Sequence, residues 1–338
     1  MSHQPIKVFS CDLNWIRDTA SSAPVQPSTA HDWAFVDPDD YLAYHRAIGV
    51  NAIFCQAYTF GGYAFYPTRL GPTAPGPGQE LLPRLFTRAR EAGLPFWSYF
   101  CVGTDLVMNS HRPHWTIPEG TNPRGYFLAP ESPWTDLLCA RVVEFLHDYP
   151  VDWLLFDWFV YGSLQPDTYV ISPAPYMEAP FREICGRDLP GEAAAITPEE
   201  NLHYKREVLA RQFARLRDTV RAASPATKIL FNVPYWEPAE PLWVDHPMLT
   251  GSDGLFAECS RADVMEWLLC VRKPEQRVMT TIIGRTDDGE CDPTTWRTWA
   301  ERGCDLFGYA WGTPPNFRPL PLYDRELAIT RAAFHALP

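Results

Sequence analysis

The sequence predicts a single (β/α)8 barrel, and three observations carry that prediction. Eight short, continuously apolar runs are spread from one end of the chain to the other. Most of the segments between them have helical periodicity and helix punctuation. Neither a G-x-G-x-x-G nor a G-x-x-x-x-G-K-[ST] motif occurs, so the open nucleotide-binding sheets lack their defining signal.

The runs are Val8–Asn14, Ala52–Tyr58, Phe96–Val102, Asp152–Trp158, Lys228–Val233, Leu255–Cys259, Val278–Ile283 and Leu306–Trp311. Strands of a parallel sheet covered on both faces read this way, without polar alternation. Asp37-Pro38 can cap and open a helix over 39–48, with Gly49 as its stop. Residues 80–92 place Leu81, Leu82, Leu85, Phe86 and Ala89 on one face before Gly93. Ser132-Pro133 opens a helix over 134–148. Further helices are predicted over 201–223, 262–271, 294–303 and 323–337, whereas 236–253 has no clear period. Residues 1–338 are expected to form one domain.

Composition narrows the function. A charge of −12, from 29 basic and 41 acidic side chains, with no basic run, argues against a nucleic-acid partner. It leaves a neutral substrate such as a sugar open. No apolar stretch approaches about 18 residues, so no membrane span is predicted. Nine cysteines without a C-x-x-C pair argue against a disulfide framework or structural zinc. With no recognisable signal peptide, the expected compartment is the cytoplasm. No cofactor is called for, and self-association stays open.

The 34 prolines are roughly twice the usual share of about 5%. Much of that surplus follows strands, where βα loops build the active face of a barrel, and proline lowers the entropy of fixing them. Long loops rich in proline and aromatic residues are therefore expected over the C-terminal ends of the strands.

The polar residues closing those strands are the site candidates. Asp157 ends the apolar run from Val151, and burying it unpaired would cost several kcal/mol, on the order of 2–7 even for a neutral polar group. It must face a solvated cavity or a partner; an N-cap or a buried Asp–Arg pair is the structural alternative. Glu258 closes the sixth run, with an ion pair to Arg261 as its structural alternative. Two carboxylates at a barrel mouth are the minimum equipment of a glycosidase, and about 5–5.5 Å between them is the retaining distance. Asp12, Asn14, Tyr58, Trp97, His111, Asn232, Arg285 and Trp311 are the expected substrate contacts. Trp15, Trp97, Trp158, Trp236 and Trp311 stand at or near strand ends, where indoles can pack on sugar C–H faces or simply fill the core. No metal site is expected: His111 and His114 share a loop with no carboxylate at a ligating spacing. Cysteines on the strands read as packing.

Several segments resemble one family. Gly49–Phe54, Gly62-Tyr63-Ala64-Phe65-Tyr66-Pro67-Thr68, Ala92-Gly93-Leu94-Pro95, Tyr99–Gly103 and Ser132-Pro133-Trp134 look like the hypothetical glycosyl hydrolase 6 group. That group is similar to the α-L-fucosidase barrels of glycoside hydrolase family 29. The likeness peaks at Tyr149-Pro150-Val151-Asp152-Trp153-Leu154-Leu155-Phe156-Asp157 and covers about half the chain. It implies a retaining, exo-acting hydrolase with Asp157 as nucleophile and Glu258 as acid/base. The family's His and Cys after strand two are replaced by Gln56-Ala57-Tyr58, and its His-Pro-x-Trp element is altered to His111-Arg112-Pro113-His114-Trp115. An isomerase or lyase on the same barrel, or a carbohydrate-binding protein without catalysis, are the alternatives. The first predicts a metal requirement; the second predicts binding unaffected by Asp157→Asn.

Overall fold

In a computed structural model, residues 4–11, 13, 36–74, 76–118, 127–162, 170–233, 243–281, 293–310, 312–313, 318–319 and 324–337 are described. Eight parallel strands form a (β/α)8 barrel: β1 (Lys7–Cys11), β2 (Ile53–Tyr58), β3 (Phe96–Cys101), β4 (Trp153–Asp157), β5 (Lys228–Asn232), β6 (Gly254–Ala257), β7 (Arg277–Thr281) and β8 (Asp305–Ala310). From β2 to β8 each strand pairs with the next in sequence, and β8 returns to β1. The seam between β1 and β2 is closed by hydrogen bonds from both side chains and backbone. Lys7 N donates to Asn51 Oδ1 (2.7 Å), Asn51 N to Lys7 O (3.0 Å), and Leu13 N to Gln56 Oε1.

The helices follow the punctuation. Helix α1 (Pro38–Ile48) is capped by Asp37, whose carboxylate accepts from Asp39 N and Asp40 N, and ends at Gly49 with φ 97°. Then come α2 (Leu81–Glu91), α3 (Leu106–His111), α4 (Trp134–Asp148) and α5 (Glu178–Cys185). Helix α6 (Pro198–Ala223) starts three residues before the predicted 201, because Thr197 and Glu200 form a capping box. Within the segment lacking a period lies the five-residue α7 (Pro247–Gly251). Helices α8 (Ala262–Val271), α9 (Pro293–Glu301) and α10 (Asp324–Ala336) complete the ring. Lys7 Nζ donates to Phe334 O and Leu337 O (3.0 Å each), tying α10 to the first strand. Among the described residues, no helix is long and apolar enough to cross a membrane.

Strand alternation divides the core in two. Trp97, Tyr99, Cys101, Trp153, Leu155, Leu230, Phe256, Met279 and Phe307 fill the barrel interior. Their neighbours, such as Phe100, Leu154, Phe156 and Phe231, face the helices.

A buried ion pair holds the loops above β2 and β3. Asp105 caps α3 by accepting from Met108 N (2.7 Å). It also receives Tyr58 Oη–H (2.7 Å) and Arg141 Nη1–H (3.0 Å), and both charged side chains are fully buried. Arg141 Nε reaches Leu70 O (2.9 Å), and its guanidinium lies 4.2 Å from the Tyr58 ring centroid. Gly62, at φ 87°, lets the chain pass so close that a Cβ there would lie 2.2 Å from Asp105 Oδ1. One carboxylate thus joins strand β2, its loop, the β3 loop and helix α4. Replacing one partner strands the other charge in the interior. Arg141→Met should lower unfolding free energy by about 3–5 kcal/mol, measured by urea titration.

Candidate active site

Asp157 is the last residue of β4 and shares the phase of Trp153 and Leu155, so its side chain enters the barrel at the C-terminal mouth. It is only 7% exposed, so its charge needs protein partners. Among the described residues, three donors meet it. Tyr99 Oη–H donates to Oδ2 (2.7 Å), while Asn232 Nδ2–H (2.7 Å) and the Trp158 N–H (2.6 Å) donate to Oδ1. Each comes from a different place in the frame. Cys101 pairs with Asp157 across the sheet, so Tyr99 lies one inward-facing step below and sends its hydroxyl upward. Asn232 ends β5, the next strand, two residues after inward-facing Leu230.

The third donor depends on an unusual backbone. Trp158 has φ 56°, a left-handed conformation that costs a non-glycine residue about 1–2 kcal/mol. Its ring is partly buried, tilted against Phe60 (centroids 5.2 Å apart) and Phe127 (6.0 Å). With Phe60, Leu106 and Tyr309 it covers the upper end of the barrel interior.

Glu258 follows β6 directly, on the same rim as Asp157 with β5 between their strands, and is exposed. Arg261 pairs with Asp263 (Nη2–Oδ2 2.6 Å). The β6 exit is strapped down: Thr280 Oγ1 donates to Cys259 O (2.7 Å) and Trp299 Nε1 to Ser260 O (3.0 Å).

The other expected contacts separate. Asn232 joins Asp157. His111 ends α3 and is exposed to solvent above the barrel. Tyr58 is a correction. Strict alternation from Phe54 would turn it inward, but the β2–β3 register shifts between Gln56 and Tyr58, so Tyr58 pairs with outward-facing Phe100. Its hydroxyl is spent on Asp105 and Gly62 O. Trp97 is a second correction. It faces inward but stands four residues below Cys101, about 13 Å down the strand. There it stacks on Trp153 (4.9 Å) and lines a cavity of about 360 Å³ with Gln4, Asn51 and Asp152, at the end of the barrel remote from Asp157. Asp12, Asn14, Arg285 and Trp311 lie outside the described residues.

Two contributors do not close a strand. Tyr99 sits mid-strand, and only its phase with Cys101 and its reach give it away. Glu131, in the loop before α4, accepts from Tyr161 Oη–H (2.8 Å) and Tyr204 Oη–H, and burial pushes its carboxyl above the usual carboxylate range. It binds the β3 and β4 loops to α6. Among the described residues, no group of three or more His, Cys, Asp or Glu side chains is arranged to hold a metal.

Set against solved structures, this barrel is similar to α-L-fucosidase isoenzyme 2 from Paenibacillus thiaminolyticus, with a TM-score of 0.66 and 15% identity over 99% of this chain. The chain spans about half of that enzyme, 49% of its length. It is also similar to unliganded α-L-fucosidase AlfC from Lactobacillus casei, with a TM-score of 0.50 and 14% identity, covering 91% of this chain and 82% of the other. At these identities the likeness establishes the fold. No family model and no curated protein matches the sequence.

The hydrogen bonds to Asp157 make a prediction independent of any substrate. Asn232→Asp sets a second carboxylate against Oδ1, so the pair can be accommodated only by holding one proton. The variant should lose on the order of 2–3 kcal/mol at pH 7. The loss should shrink as pH falls through the carboxylate range, seen as a wild-type minus variant Tm gap that narrows below about pH 5.

Proposed function

We propose that the chain is a retaining glycoside hydrolase acting on a terminal sugar of a short glycoside, with L-fucosides as the first candidate substrates. The observation that carries this reading is the carboxylate of Asp157, inward-facing at the barrel mouth and held by three hydrogen-bond donors. Those donors favour the ionised form and fix its direction, as a nucleophile attacking one face of an anomeric carbon requires. The likeness of the barrel to two α-L-fucosidases supports the choice of sugar.

In the first step an Asp157 oxygen bonds to the anomeric carbon as the glycosidic C–O bond breaks. Glu258, as the acid, gives its proton to the departing oxygen. In the second step Glu258 takes a proton from water. The water oxygen bonds to the anomeric carbon, and the Asp157 ester bond breaks with its electron pair returning to the carboxylate. Two inversions give net retention. The donors Tyr99, Asn232 and Trp158 N–H stabilise the carboxylate that departs in this second step, which speeds release of the sugar.

The test is a panel of 4-nitrophenyl glycosides. The wild type should hydrolyse at least one, and Asp157→Gly should lower kcat by at least about 10³-fold. Azide should restore turnover to that variant and give a glycosyl azide of inverted anomeric configuration. Asp157→Gly turning over substrate at the wild-type rate would remove Asp157 from the chemistry. Glu258→Ala should lose far more activity on alkyl glycosides than on 4-nitrophenyl ones, whose leaving group departs without a proton.

A further inference from the structure

A ring of hydrogen bonds closes around the strained turn after Asp157, and the Glu131 carboxyl completes it. Asp157 O accepts from Val102 N (2.8 Å), which joins the exits of β4 and β3. Trp158 follows, with φ 56°. Its carbonyl accepts from Val160 N (3.0 Å) and lies against Gly103, where a Cβ would collide with that oxygen. Gly103 O in turn accepts from Leu128 N (2.9 Å), and Val102 O accepts from Trp134 Nε1 (2.7 Å). The segment from Leu128 to Trp134 is thereby sewn to the β3 exit, and Glu131 stands in its middle. Glu131 Oε1 accepts from Tyr161, three residues past Trp158, and from Tyr204 on α6. Backbone strain persists where the surrounding structure over-determines it. The ring does this at Trp158, whose N–H donates to Asp157 Oδ1 (2.6 Å).

The Glu131 carboxyl is unevenly served. Its Oε2 is buried without a hydrogen-bond partner among the described residues. The titratable groups facing it are three phenols: Tyr161 from the β4 exit, Tyr204 from α6 and Tyr176 from the 3-10 turn before α5. Burial pushes all three phenols up, so they stay protonated donors. Among the described residues, no Lys, Arg or His pairs with Glu131. Loss of its proton would therefore leave an uncompensated interior charge, and burial holds the carboxyl above its usual range.

We propose that Glu131 is a positioning residue for Asp157, clamping the β4 exit through Tyr161 while its carboxyl is neutral and releasing it on ionisation. The clamp stands on the hydrogen bonds, and its consequence for turnover rests on the hydrolase reading. A neutral carboxyl accepts from both phenols without a buried charge. Once ionised, its unserved Oε2 needs water, and water entering there parts the Glu131 segment from the β4 exit. Trp158 can then leave its left-handed backbone, and Asp157 loses a donor that fixes its direction. The sign follows from the raised carboxyl. Its contribution is complete below the ordinary glutamate value of about 4.3 and is lost as pH rises through the raised one.

The experiment compares the wild type with Glu131→Ala, Glu131→Gln and Tyr161→Phe at about pH 5 and about pH 8. It reads kcat and KM on the 4-nitrophenyl glycoside the wild type turns over best, and amide hydrogen exchange of the peptide holding residues 157–161. The 4-nitrophenyl group departs without a proton, so Glu258 imposes no alkaline fall on kcat/KM. The wild type should lose about tenfold in kcat/KM toward the higher pH, with exchange of that peptide rising beyond the intrinsic rate. Glu131→Ala and Tyr161→Phe should lose about tenfold in kcat already at the lower pH, with KM nearly unchanged. Glu131→Gln keeps the acceptor and cannot ionise. It should recover most of the alanine loss and show neither the alkaline fall nor the faster exchange. A wild-type profile that stays flat, a glutamine variant that falls like the wild type, or a Tyr161→Phe variant with wild-type kcat overturns the clamp. A wild type inactive on the whole panel overturns the hydrolase reading, and exchange then decides the clamp alone. Faster exchange at the higher pH in the wild type than in Glu131→Gln supports it, and equal exchange overturns it.

Discussion

A buried carboxylate at the end of an apolar barrel strand is the constraint around which the upper half of this molecule is arranged. Water cannot satisfy a group only 7% exposed, so protein donors must. Asp157 obtains them from three directions: a phenol one layer below, an amide on the next strand, and the backbone of the following residue. Each donor in turn needs the frame around it. Tyr99 needs the β3–β4 register, and Asn232 needs β5 to end level with β4. The Trp158 N–H needs a left-handed turn that the space above Gly103 permits. Moving any of these strands by one residue would disperse the cluster, since alternate residues face opposite sides.

A second buried carboxylate plays a different part. Asp105 is paired with Arg141 and Tyr58 and caps α3, with no exposure at all. Its role is to hold the loops above β2 and β3 against the barrel. Glu131 does the same further round, through Tyr161 and Tyr204. These anchors complement the prolines. Proline limits how many conformations a loop can sample, while a buried polar network selects one of them. The mouth of the barrel is thus walled by segments fixed at several points, and Asp157 is held within that wall.

The fold was legible in the sequence because its signals are local. Eight apolar runs, helix caps at Asp37 and Thr197 and stops such as Gly49 each act within a few residues. That Asp157 would need partners or a solvated cavity was legible too, because a lone carboxylate closing so apolar a strand has few physical explanations. What misled was everything that depends on register. Tyr58 falls on the wrong face because a bulge one residue long follows Gln56, and nothing in Gln56-Ala57-Tyr58 announces it. Trp97 has the right face but the wrong height. Tyr99 has both, yet it sits mid-strand, where a tyrosine reads as core. The family resemblance singled out Asp157 and was silent on the donors around it, since those are set by strand register across β3, β4 and β5.

The central claim is that Asp157 bonds to the sugar. Incubating the wild-type protein with the 2-deoxy-2-fluoro glycosyl fluoride of its preferred sugar, then mapping the protease peptides by mass spectrometry, tests it directly. Fluorine at C2 slows both steps, and the reactive leaving group lets the first proceed, so the ester accumulates. One added 2-fluoroglycosyl group is expected, on the peptide containing Asp157 and on that residue. A label on Glu258, Glu131 or any other carboxylate would contradict it.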